Sequence, residues 1–129
     1  MNVTTKKYQI DGRRFSTLEQ FYDEVSARLI PGAEWGKNLD AFIDILRGGF
    51  GTPESGFVLL WVNSDVSRKA LGYAETIRQL EIRLAKCHST GIAKVAQDLR
   101  EALNHRGPTV FDWLIEIISK NKEIELILD

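Results

Sequence analysis

Trp35-Gly36-Lys37-Asn38-Leu39-Asp40-Ala41-Phe42-Ile43-Asp44-Ile45-Leu46 is the stretch around which the rest of the chain falls into order. At about 100° per residue, Leu39, Phe42, Ile43 and Leu46 gather on one side of a helix and predict a stripe facing a core. Asp40 and Asp44 are four residues apart on one face, beyond the edge of that stripe. Like charges at this spacing cost a helix a few tenths of a kcal/mol, which Lys37 and Arg47, each three residues away, are expected to offset in part. Most such pairs are simply solvated surface charge. This pair has particular company. Asn38 occupies the N-cap position, a Trp-Gly step precedes it, and Gly48-Gly49 closes the helix.

Working outward, Tyr8-Gln9-Ile10 reads as a first strand, ended by the turn pair Asp11-Gly12. Ser16-Thr17-Leu18-Glu19 has the spacing of a capping box, with Ser16 as cap and Glu19 reaching back. The helix it opens carries Leu18, Phe21, Tyr22, Val25 and Leu29 at core spacing and stops before Pro31. Downstream, Thr52 to Gly56 is a loop. The continuous apolar run Phe57 to Val62 predicts a strand buried on both faces, as in a parallel sheet. Beyond Asn63 and Ser64 the pattern turns helical, with Tyr73, Ile77, Leu80 and Leu84 on one face of Gly72 to Lys86. Cys87 to Gly91 breaks it. Ile92, Val95, Ala96, Leu99 and Leu103 mark an amphipathic helix that Gly107-Pro108 stops. Thr109 with Asp112 caps a further helix bearing Val110, Phe111, Leu114, Ile117 and Ile118, and Glu123 to Leu128 reads as a closing strand. Helical crossovers between strands predict an α/β fold with a parallel sheet and right-handed connections.

The central stretch resembles the core motif of the barstar family, intracellular inhibitors of secreted bacterial ribonucleases. The matching positions are Trp35-Gly36, Asn38-Leu39-Asp40-Ala41, Asp44 and Leu46, followed by Arg47-Gly48-Gly49-Phe50-Gly51 and Phe57-Val58-Leu59-Leu60-Trp61. The likeness covers roughly residues 6–64 and 109–129. It implies one barstar-like domain over 1–129, with a three-stranded parallel sheet in order 1-2-3 packed with helices. Extra helices in 65–106 then lengthen the connection between the second strand and the last long helix. The resemblance also implies a partner-binding surface: Asp44 enters a nuclease active site in place of a substrate phosphate, Asp40 supports the same face, and the Trp35-Gly36 loop with Asn38 packs beside them. Glu34 departs from the family pattern, which has a second, stacking aromatic residue there. Ile43 likewise replaces an aromatic residue. No carboxylate around Arg106-Gly107-Pro108-Thr109 aligns with the family's acidic contact near the last long helix.

Composition bounds the remaining classes. A chain of 129 residues that is 43% hydrophobic is enough for one well-buried core and short for two. Net charge is −1, but residues 65–106 hold five acids and eight bases, a net of +3, leaving −4 elsewhere. A cationic nuclease site would be attracted to the acidic part and repelled by the middle segment. That basic segment also supports an alternative, a nucleic-acid-binding regulator, although its bases alternate with acids along amphipathic helices. The single cysteine, Cys87, cannot form an internal disulfide, and no apolar run of signal-peptide or membrane-span length is present, which together suggest a reducing cytoplasm. Cys87-His88-Ser89 lacks an orienting acid, and His88 and His105 lack metal-ligand spacing. No P-loop or dinucleotide fingerprint occurs. The expectation is a non-catalytic bacterial inhibitor or immunity protein, without metal or cofactor. It is expected to be monomeric when free and to bind a secreted nuclease or nuclease toxin, most plainly an RNase, one-to-one in self-protection.

Overall fold

The structure, a computed structural model, describes residues 5–129. Strand β1 (Lys7–Asp11) runs into a short 3-10 turn and helix α1 (Leu18–Arg28), followed by α2 (Leu39–Leu46) and β2 (Val58–Val62). Four helices come next: α3 (Ser64–Ala70), α4 (Tyr73–Lys86), α5 (Ile92–Leu103) and α6 (Val110–Ser119), before β3 (Glu125–Leu128). The strands pair in parallel in the order β1-β2-β3, with Ile10 opposite Trp61 and Trp61 opposite Leu128. This is the α/β architecture and sheet order that the resemblance implied, with β2 and β3 starting one and two residues later than the apolar runs suggested.

The expected burial of β2 on both faces is not what the structure shows. Leu59 and Trp61 are wholly buried, whereas Val58, Leu60 and Val62, which point the other way, are only partly covered. On that second face lie exposed Lys7 and Gln9 from β1 and Ile127 from β3, at 40% exposure. The reason is topological. A sheet whose strand order never reverses sends every right-handed crossover to the same side. The molecule is therefore two layers deep, and the apolar run records one sealed face and one open one.

The sealed face is closed largely by aromatic rings. Phe21 meets Phe42 edge-on at 5.3 Å, and Trp61 lies 5.3 Å from Phe111. Leu18, Phe21, Tyr22, Val25 and Leu29 of the first helical segment are all buried, as their spacing predicted. Trp61 donates its indole N–H to the buried Ser67 Oγ at 2.9 Å, so α3 satisfies the polar atom of the largest core side chain. Gly56, at φ +100°, lets the chain pass the Glu123 carbonyl, where an added Cβ would sit 2.0 Å from the oxygen.

Capping of α1 differs from expectation by one residue. Thr17, not Ser16, is the N-cap and accepts from the Gln20 amide at 3.1 Å, while the Gln20 carboxamide oxygen accepts from the Ser16 amide at 2.8 Å. Glu19 is thereby freed for α4, where it meets Arg78 and accepts from Gln79 at 2.7 Å. Buried Glu75 of α4 accepts from the Leu18 amide at 2.8 Å, pinning α4 to the start of α1. At α6 the expected cap is present as a full box between Thr109 and Asp112. Helix α5 covers less than its periodicity promised. Ile92 and Leu103 are 42% and 57% exposed, and Ala102 is its one buried residue.

Candidate functional site

Helix α2 is set by its cap and its buried side. Asn38 Oδ1 accepts from the Ala41 amide at 2.8 Å, as the sequence led one to expect. Phe42, Ile45 and Leu46 are buried, while Leu39 and Ile43 are partly exposed, so the core-facing stripe is rotated toward Ile45 from the predicted set. The short helix tucks its middle, rather than its first turn, against the core. At the far end Gly48 takes φ +96°, and the Gly49 amide donates to the Asp44 carbonyl at 2.8 Å. Thr52 adds a hydroxyl bond to the Ile45 carbonyl. Both ends of a two-turn helix are thus tied, which holds the directions of its outward side chains.

Those outward side chains include Asp40 and Asp44, both exposed and in no ion pair among the described residues. Lys37 does not compensate Asp40 as its spacing suggested. Its ammonium lies 3.1 Å from Asp23 of α1. The chain reaches this contact through a left-handed Lys37, φ +48°. The left-handed backbone angle before α2 thus falls at Lys37. What Gly36 supplies is close approach, since a Cβ there would come within 2.8 Å of Asn38 Nδ2.

Trp35 is half-buried. Its ring stands edge-on to Tyr22 at 5.4 Å, and its indole N–H donates to Ser26 Oγ at 2.6 Å. The loop before α2 is therefore fastened to α1 by one ring and one hydrogen bond, and the remaining edge of Trp35 faces out beside exposed Glu34. Ile43 lines a small cleft of about 110 Å³ with Arg47, Ile117 and Lys120, where α2 meets α6. On the opposite flank, Asp40 borders a groove of about 470 Å³ floored by Leu18 and Tyr22 and walled by Gln79 and Arg83 of α4. All seven residues singled out from the sequence thus sit in one loop and one helix. Tyr22, Gln79 and Arg83 were not among them. No local pattern could have found them, because sixty residues, strand β2 among them, separate Tyr22 from Arg83.

Cys87 is half-buried and His88 exposed, in the break between α4 and α5. Among the described residues, no group of three or more His, Cys, Asp or Glu is placed to hold a metal. No helix among them is long and apolar enough to cross a membrane. Four of the eight bases of the middle segment are engaged within the fold. Arg78 is clamped between Glu19 and Glu75, Lys94 pairs with Asp98 at 2.8 Å, and Arg68 and Arg83 lie over Phe111 and Trp113.

The family model described as barstar (barnase inhibitor) matches residues 5–86, more than half of the 129 residues. The match takes in β1 through α4, so it extends further into the middle segment than the motif reading did and stops before α5. No curated protein matches the chain.

Proposed function

Because this chain belongs to the barstar family, we propose that it is a protein inhibitor of a barnase-type ribonuclease, acting as a stoichiometric plug and not as an enzyme. The observation that carries this reading is the pair Asp40 and Asp44, displayed on a helix tied at both ends and without counterions among the described residues. Nuclease sites are cationic because they bind phosphate. A carboxylate held in fixed geometry can replace that phosphate while losing little conformational freedom on binding. Asp44 enters the site, Asp40 makes the flanking contact, and Trp35, Gly36, Asn38, Glu34 and Ile43 surround them. The partner is a secreted nuclease or nuclease toxin, met one-to-one in the cytoplasm as self-protection, and the free protein is a monomer.

Titration of the purified chain into barnase hydrolysing RNA tests the proposal. Activity should fall linearly to zero at a molar ratio of one, without added cofactor. Asp44→Ala should weaken binding by at least ~3 kcal/mol, Asp40→Ala by less and Glu34→Ala by least. The largest hot-spot value known for such residues, near 8 kcal/mol, was itself measured on barstar and serves here as a ceiling. If Asp44→Ala inhibits within about tenfold of the parent, the plug mechanism is wrong. Tight binding of RNA with a steep salt slope would instead support the nucleic-acid reading of 65–106.

A further inference from the structure

The groove beside Asp40 carries unspent hydrogen-bonding capacity, an acceptor on one side and donors on the other. Most of its polar lining is already partnered. Glu19 is held by Arg78 and Gln79, and Lys37 by Asp23. The Asn38 side chain serves the Ala41 amide and the Gly36 carbonyl. Asp40, Arg83 and Tyr22 are among the groups left over. Asp40 has no ion pair, and neither has Arg83, whose guanidinium rests over the Trp113 ring with its centre 4.7 Å from the centroid. The third is Tyr22, which lines the same groove and whose hydroxyl enters no hydrogen bond among the described residues. Burial of the Tyr22 ring pushes its phenol well above the ordinary value, despite the nearby Arg83, so the hydroxyl keeps its proton as a donor.

We propose that this groove is a second recognition site, in which Arg83 and Tyr22 receive an acidic side chain of the ribonuclease while Asp40 and Asp44 take its cations. The proposal rests on the inhibitor reading above and adds to it a demand on the partner. A guanidinium braced on an indole is preoriented for two parallel bonds to a carboxylate, and a phenol beside it supplies a third donor. The groove's volume of about 470 Å³, above the buried side chains of Leu18 and Tyr22, leaves ample room for an inserted side chain. The arrangement also rejects partners. A nuclease that presents only cations at this point would bring them against Arg83, and that repulsion lowers its affinity. Specificity within the family's targets would then depend on α4 as well as on the acidic helix.

Removing a positive charge from the inhibitor of a cationic enzyme should tighten binding by long-range attraction. A loss of affinity therefore reports a local carboxylate. Arg83→Met keeps the apolar stem on Trp113, and Tyr22→Phe keeps the ring in the core. With barnase as the probe, Arg83→Met should weaken binding about tenfold or more and Tyr22→Phe about threefold, with thermal midpoints close to the parent's. Unchanged or tighter binding of Arg83→Met overturns the proposal, and tighter binding would show that a basic side chain approaches Asp40 there instead. Failure of the unmodified chain to inhibit barnase overturns the inhibitor reading itself. Inhibition by the parent with indifference to Arg83 overturns only the groove.

Discussion

Asp44 and Glu75 show how one residue type serves opposite ends. Asp44 is exposed and in no ion pair among the described residues, held out of the core by the helix that carries it. Its removal is expected to leave folding almost untouched. Glu75 is 5% exposed and accepts from the Leu18 amide, Arg78 and Gln79. Burial alone pushes its carboxyl up, but the bonds from Arg78, Leu18 and Gln79 outweigh it and hold the group below its ordinary 4.5. Glu19, sharing Arg78 and Gln79, is shifted in the same direction. A carboxyl whose folded value lies below its unfolded value stabilises fully above the unfolded value and loses that contribution as pH falls through the folded one. The thermal midpoint should accordingly be steady from neutrality to about pH 5 and drop below it. Glu75→Gln should cost about 2 kcal/mol at neutral pH and flatten the acid limb. An acid limb as steep as the parent's would assign the loss to other carboxylates.

At the scale of elements, helix starts were the most readable features and still moved. Asn38 and Thr109 cap α2 and α6 where their positions in the sequence placed them. At α1 two hydroxyl residues stand side by side, and either could accept from an amide three residues on. The choice fell on Thr17 because Glu19 has stronger partners on α4 and is not available to reach back to Ser16. Thr17→Ala should therefore destabilise the fold by about 1 kcal/mol, and Ser16→Ala by well under half of that, in denaturant titrations. The reverse order would restore Ser16 as the cap. Helix α2 shows the same dependence on context. Eight residues have little helical stability of their own, so packing of Phe42 and Ile45 decides which way the stripe turns.

For the whole molecule, the one-sided sheet is the governing fact. Leu59 and Leu60 are adjacent in an unbroken apolar run, yet Leu59 is wholly buried and Leu60 lies partly covered on the open face. Leu59→Ala should cost about 2–5 kcal/mol, and Leu60→Ala about 1 kcal/mol at most. Equal costs would require something to cover the second face. The same one-sidedness brings α1, α2, α4 and α6 into one layer, and with them the three flanks of the candidate site: the α1–α2 loop, the acidic helix and the α4 wall.

Much of this could be read from spacing alone. The succession of strands and helices along the chain, the cap at Asn38, the buried set of α1 and the exposure of Asp40 and Asp44 follow from interactions within a few residues, where periodicity is a faithful guide, whereas the sheet order came from the family resemblance. The open face of β2, the escape of Lys37 to Asp23, the half-burial of Trp35 and the meeting of Tyr22 with Arg83 each depend on which distant segment arrives at a given place. Such choices belong to the packed layer, because the groups that decide them are far apart in the chain and become neighbours only when the crossovers close over the sheet.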